Sequence, residues 1–226
     1  MNTKMNMDLL VKGIHQFNTT IARPHKDFFK RISEAQAPFA LFITCSDSRI
    51  DPNLITQSDP GTLFSIRNPG NIIPKYTDGT TSEAAAIEFA IEGLGIEKVI
   101  ICGHINCGAI DALLHKDVRD KYPCMGRWVA HAEPVREIVE KHYSHLENDD
   151  LLIAASEENV LEQVDNLKTY PCIEKAIAAG KMEIYAWVYH LVTAEVYSFD
   201  SEKEAFVSLL KTTNHPVFPN GPVYKK

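Results

Sequence analysis

Three short apolar runs in this chain each end in a cluster of reactive or hydrogen-bonding residues, and that repetition limits the fold more than any other feature. Residues 39–44 run into Cys45-Ser46-Asp47-Ser48-Arg49. Residues 63–66 run into Arg67-Asn68-Pro69-Gly70-Asn71. Residues 98–102 run into Gly103-His104-Ile105-Asn106-Cys107-Gly108. Apolar runs without polar alternation suit strands covered on both faces in a parallel sheet. Helical patterns lie between and after them. Thr80-x-x-Glu83 reads as a capping box, opening a helix through Ala84, Ile87, Ala90, Ile91 and Leu94 that Gly95 closes. Residues 109–115 read as the next helix. Val135, Ile138 and Val139 after Pro134 mark another, as do Leu152 to Leu167 and the stretch from Pro171 to Gly180. Residues 183–189 and 195–199 read as neighbouring strands in a hairpin, and residues 203–211 as a last helix. Strands separated by helices predict an α/β domain, with a mainly parallel central sheet of roughly four to five strands flanked by helices.

Before the first strand, Leu9, Leu10, Ile14, Phe17 and Ile21 recur at helical spacing, and Phe28, Phe29 and Ile32 resume after Pro24. An arm with no sheet of its own must dock on the rest of the domain or on a partner subunit. The expected organisation is an N-terminal helical arm (1–36), one α/β domain (37–213) and an irregular tail (214–226) holding three prolines and a glycine.

Composition narrows the function. Hydrophobic residues make up 45% of 226 residues, enough for one domain with its own core. The formal net charge is −7, and no basic stripe precedes the terminal Lys225-Lys226, which argues against a nucleic-acid partner. No run reaches the ~18 apolar residues of a membrane span, so no membrane partner is expected. Met1 to Asp8 lacks a signal-like apolar run, and the cysteine count of five is odd. A cytoplasmic, reducing location follows as the expectation, in which cysteines act as ligands, nucleophiles or core fillers.

In open α/β sheets, ligands bind outside the carboxyl ends of the strands, where all three motifs fall. His104 and Cys107 are spaced to converge on one ion from a turn, and Cys45 adds a second thiolate from another strand end. A Cys2His set with a further position for water is a zinc arrangement. Two thiolates and a neutral imidazole cancel the ion's +2 charge. Asp47 is expected near the fourth position, with Arg49 behind it holding the carboxylate off the metal. Cys102 reads as a core residue, while Cys124 and Cys172, beside prolines, read as incidental. His131, His142 and His145 read as ordinary histidines of a surface helix.

In this order the three motifs resemble those of the β-class carbonic anhydrases. The resemblance covers nearly the whole chain, including the helical arm and Glu162-Gln163-Val164-x-Asn166-Leu167-x-Thr169-Tyr170-Pro171. It implies that Cys45, His104 and Cys107 hold Zn2+, one ion per chain. It implies that Asp47 and Arg49 form the catalytic pair, Asp47 becoming a fourth ligand only in a closed form. The implied reaction is reversible hydration of carbon dioxide to bicarbonate and a proton by a zinc-bound hydroxide. Gln36, Phe64, Phe89 and Gly108 match the family's substrate-binding positions. In the plant-like subgroup the glutamine and the aromatics come from opposite subunits, so a homodimer, or a higher oligomer built of dimers, is implied. Phe42 with Gln36 favours that subgroup over the bicarbonate-inhibited one, which has tryptophan at the position of Phe42. Two departures stand out: Phe89 replaces a common tyrosine, and Pro69 a small or branched residue. The alternatives are a zinc hydrolase of a CO2-like molecule (carbonyl sulfide or carbon disulfide) and a non-catalytic, zinc-stabilised bicarbonate-binding module. The complete Asp47/Arg49 pair and Gln36 favour the hydratase.

Overall fold

A computed structural model describes residues 6–77 and 80–211. Its centre is a sheet of six strands: β1 (Ala40–Cys45), β2 (Leu63–Asn68), β3 (Lys98–His104), β4 (Glu183–His190), β5 (Glu195–Asp200) and β6 (Ala205–Ser208), in the order β2-β1-β3-β4-β5-β6. The β2-β1-β3-β4 part is parallel, and β5 and β6 complete it as antiparallel hairpins. The expected α/β class therefore holds, with the sheet larger than the four to five strands read from sequence.

The extra strand corrects the helix expected over residues 203–211. That stretch forms β6 and then a single 3-10 turn, Leu209–Lys211. The Asp200 carboxylate accepts the N–H groups of Glu202 and Lys203, and Glu204 takes a left-handed φ of 49°. This local turn reverses the chain, and Phe206 then pairs across the hairpin with Phe199, ring centroids 5.4 Å apart. Turn chemistry and a cross-strand aromatic pair override a weak helical period.

Helices cover the sheet unequally. On one face Leu41, Ile43, Val99, Ile101, Ala186 and Val188 are buried with Val160 and Leu167 of α9 (Asn148–Lys168) and Ile87 of α4 (Ser82–Glu88). The N-cap of α4 is Thr81, whose hydroxyl accepts from Ala84 N–H, and not Thr80. Glu83 is instead buried and accepts from the Asn68 amide. The opposite face carries Ala40, Phe42, Ile100 and Cys102, edged by Leu63, Trp187 and Tyr189. It opens into a largely apolar groove of about 630 Å³.

A third apolar cluster closes the carboxyl ends of the strands. Ile110 and Leu113 of α5 (Gly108–Leu114), Val129 of α7 (Pro123–Val129), and Val135 and Val139 of α8 (Glu133–His142) pack there with Ile72, Cys45 and Cys107. The short helices α6 (Lys116–Lys121) and α7 were not legible in the sequence pattern. The arm forms α1 (Met7–Gln16), a π-helical turn Phe17–Ala22, and α2 (Lys26–Glu34). None of α1 is buried, and Met7, Leu9, Leu10, Val11 and Ile14 face outward. The tail expected over 214–226 lies outside the described residues.

Candidate metal centre

Parallel pairing aligns the three motifs. Cys45, the last residue of β1, is level with Asn68 at the end of β2, and β3 ends at His104. Cys107 follows on the turn that starts α5, where Asn106 takes a left-handed φ of 55°. Ligand atoms of Cys45, His104 and Cys107, all buried, lie within 4.8 Å of one another. The two sulfurs are 3.8 Å apart.

The imidazole is fixed by its neighbour. Ile105 has only a carbonyl to offer, so His104 Nδ1–H donates to it at 2.9 Å. That hydrogen bond leaves the lone pair on Nε2, which is buried and has no hydrogen-bond partner among the described residues. A buried acceptor without a partner costs about 1–3 kcal/mol. Here it faces two thiols, the donor set of a zinc site, and the residues fit that ion.

The thiols already share charge unequally. Cys107 beside it, with the Gly70 amide, holds the Cys45 thiol well below the usual thiol range, against the effect of burial. Cys45 and burial push Cys107 the other way. The two sulfurs oppose each other's ionisation, and a cation is what lets both ionise. Gly70 N–H donates to Cys45 Sγ at 3.3 Å.

Asp47 is held by Arg49 at three points. Its Oδ1 accepts the Arg49 backbone N–H and Nε–H, each at 2.9 Å, and its Oδ2 accepts Nη2 at 2.6 Å. These bonds keep the carboxyl far below its usual range, and the carboxylate in turn raises the guanidinium. Asp47 Oδ2 stands 3.9 Å from His104 Nε2, beside the ligands and turned toward Arg49. Arg67 donates Nε–H to the Cys45 carbonyl and Nη2–H to the Asp47 carbonyl. It sets the backbone of the whole Cys45–Asp47 segment.

Behind the cluster lies a buried amide network. Asn159 Nδ2 donates to the Gly70 carbonyl at 3.0 Å, and Gln163 Nε2 donates to Asn159 Oδ1. Gln163 Oε1 accepts from Ile73 N–H and from Asn166. Asn68 accepts from Ile72 N–H and donates to its carbonyl. Asn159 and Gln163 stand four apart on the buried face of α9, beside Ala155, Val160 and Leu167, a buried polar pair that sequence reading passed over.

The structure brings Cys45, Asp47, Arg49, His104, Cys107 and Gly108 to one place. Gly108 opens α5, and a Cβ added there meets nothing within 4 Å, so space lies open beside the cluster. It does not bring Gln36, Phe64 or Phe89 there. Phe64 is level with Leu41, four residues and thus about 13 Å up the sheet from the Cys45–Asn68 end. Its ring packs on Phe89, centroids 6.1 Å apart, and Gln36 lies before β1, at that strand's far end.

A family model described as carbonic anhydrase matches residues 40–196. Among curated relatives, a carbonic anhydrase of Synechocystis is 43% identical over 203 residues, covering 89% of this chain and 74% of that protein. A carbonic anhydrase of Pseudomonas aeruginosa is 36% identical over 92% of each chain. Among solved structures, the β-carbonic anhydrase CcaA superposes with a TM-score of 0.87 at 43% identity, covering 89% of this chain and 98% of that one. A Coccomyxa β-carbonic anhydrase with bound acetazolamide gives 0.72 at 27% identity, covering 86% of each.

Proposed function

This chain belongs to the β-class carbonic anhydrases, zinc enzymes that interconvert carbon dioxide and bicarbonate, and from that premise we propose which of its residues do the work. Cys45, His104 and Cys107 hold one zinc ion per chain. The observation that carries this is the buried, partnerless Nε2 of His104 facing two thiols. Bound there, zinc supplies Lewis-acid activation of a water molecule near neutral pH.

The remaining steps belong to the chain. Asp47 Oδ2 accepts a hydrogen bond from the reacting water and so sets the direction in which its oxygen presents a lone pair. Arg49 keeps Asp47 in that role: three hydrogen bonds hold the carboxylate ionised and off the metal ligands. Were Arg49 to release it, Asp47 is near enough to His104 Nε2 to take the fourth place and shut the site. The open space beside Gly108, next to the apolar cluster that closes the strand ends, suits a small uncharged substrate.

One chain leaves that pocket unfinished, so Gln36, Phe64 and Phe89 act in the site of a second copy, in a homodimer or an assembly of dimers. The outward apolar side chains of α1 and the apolar groove on the bare sheet face support association. Phe42 and Gln36 fit the plant-like, open subtype. We read residues 37–213 as the catalytic domain and 1–36 as the arm that reaches the partner. Among the described residues no helix is long and apolar enough to cross a membrane. Cys45 and Cys107 sulfurs 3.8 Å apart need a reducing compartment to stay thiols, which supports the cytoplasm.

Metal analysis with stopped-flow CO2 hydration tests this reading. About one zinc per chain is expected, with activity lost on chelation and restored by zinc. Full activity in metal-free protein would overturn it. A parallel carbonyl sulfide assay is expected to show far slower turnover.

A further inference from the structure

The zinc reading leaves unexplained why Trp128, on α7 and outside the catalytic cluster, aims its indole at the loop after β2. Trp128 Nε1–H donates to the Pro69 carbonyl at 2.7 Å. The same peptide unit carries, on its other side, the Gly70 N–H that donates to Cys45 Sγ. A trans peptide holds its C=O and N–H rigidly antiparallel, so fixing the oxygen fixes where the hydrogen points. We propose that Trp128 is a positioning residue for the Cys45 ligand, acting through the single Pro69–Gly70 peptide.

The loop makes such a device necessary. Gly70 has φ 77° and ψ 15°, values that match the third residue of a type II turn, and a Pro before it suits the second position. Types I and II differ chiefly by a flip of the peptide between these two residues, and Pro at the second position is favoured in both. A flip would turn the Pro69 carbonyl oxygen toward the sulfur in place of the Gly70 N–H. The indole hydrogen bond is made to the unflipped peptide and selects it. A donor at the carbonyl also polarises the amide and strengthens its N–H as a donor to sulfur.

Among the described residues, side-chain amides secure the neighbouring peptides, and at this peptide the indole of Trp128 is the side-chain donor to the carbonyl. Asn159 holds the Gly70 carbonyl, which belongs to the next unit, and Asn68 holds Ile72. The indole is set by an edge-to-face contact with His131, ring centroids 5.6 Å apart. Hydrogen bonds to ligands from such surrounding groups typically change metal affinity by about 10–100-fold when removed.

The proposal rests on Cys45 being a zinc ligand, and the test separates the two ideas. The full chain is loaded with NMR-active cadmium in place of zinc. Scalar coupling between the ion and the Gly70 amide proton, through the Cys45 sulfur, is expected. In Trp128→Phe, which keeps a ring on His131 and removes the donor, that coupling falls by at least about half, and the metal passes to a chelator about tenfold faster. A second version avoids any folding defect of that variant. Both tryptophans are replaced biosynthetically by the sulfur isostere of tryptophan, which has no N–H. Among the described residues Trp187 Nε1 has no hydrogen-bond partner, so there the replacement deletes the Trp128 bond alone. Coupling and release rate unchanged in both preparations would overturn the proposal while leaving the zinc assignment standing. Cadmium that never binds Cys45 would overturn the zinc assignment and this inference together.

Discussion

The two ends of β1 are built on different terms. At the carboxyl end, Cys45 enters a cluster that one chain completes: ligands buried, backbone fixed by Arg67, loop held by Asn159 and Trp128. At the amino end, Gln36 is exposed, Phe89 is 48% exposed, and the groove beside Phe39 and Ala40 lies open. The difference separates two functions. On the proposed reading, holding the metal belongs to the fold of one chain, whereas shaping the substrate pocket belongs to an assembly of two. Changes at the two ends should therefore fail in different ways.

The largest effect is expected at the carboxyl end. Cys107→Ser removes one of three ligands and is predicted to lose zinc and to lower CO2 hydration by about a thousandfold or more. Bound metal and stopped-flow rates check this together, and normal zinc content in the variant would mean that the cluster is not the site. Arg49→Ala comes next. Asp47 loses its three hydrogen bonds, and turnover is expected to fall by about a hundredfold, the usual cost of a misplaced group at a reacting centre. Zinc should remain bound, because Arg49 touches no ligand atom in the hydrogen-bond pattern. Unchanged turnover would show that the ion pair is only structural.

These two changes concern the part of the molecule that the sequence displayed best. The motifs ending the first three strands were legible because each joins an apolar run to residues with few other uses, and parallel pairing brings such ends together. The supporting shell was harder to read. Trp128 and Asn159 act on backbone carbonyls of a loop 59 and 89 residues away. No local pattern encodes that pairing. The last strand was hidden for the opposite reason, since β6 is only four residues long and depends on a turn and on Phe199 across the hairpin. The roles of Gln36, Phe64 and Phe89 came from family resemblance alone. One chain explains their distance from the cluster but supplies no substitute for them.

The amino end gives the next prediction, and the one most able to break the comparison. Leu10 and Ile14 are 49% and 66% exposed on α1, and among the described residues nothing covers them. The double substitution Leu10→Asp with Ile14→Asp should leave the fold and the zinc intact while splitting the assembly. Analytical ultracentrifugation should then report monomers, and hydration should fall by about tenfold or more as the pocket loses its second half. Monomers that keep the full rate would show that one chain suffices, and the two ends of β1 would no longer differ in the way argued above.

The smallest expected effect concerns a thiol that shares the strand end without sharing its chemistry. Cys102 lies two residues before His104, fully buried, and burial pushes its pKa up to about 12. Burial likewise raises Tyr170 to about 12, where its hydroxyl donates to the Pro74 carbonyl. Both groups therefore keep their protons in the folded state at pH values where the unfolded chain releases them. Between roughly pH 9 and 12 the native state binds more protons than the unfolded state, so stability falls as pH rises. Below about pH 9 both states are protonated at these groups and the effect vanishes. Melting temperatures should drop by ~5 °C from pH 8 to pH 11, beyond any change seen in a Cys102→Ala, Tyr170→Phe variant over the same range. In the zinc-loaded protein at pH 8, an alkylating reagent should modify exposed Cys124 and spare Cys102. Rapid alkylation of Cys102 would mean that this strand end opens to solvent, and the rigidity assigned to the carboxyl end would have to be given up.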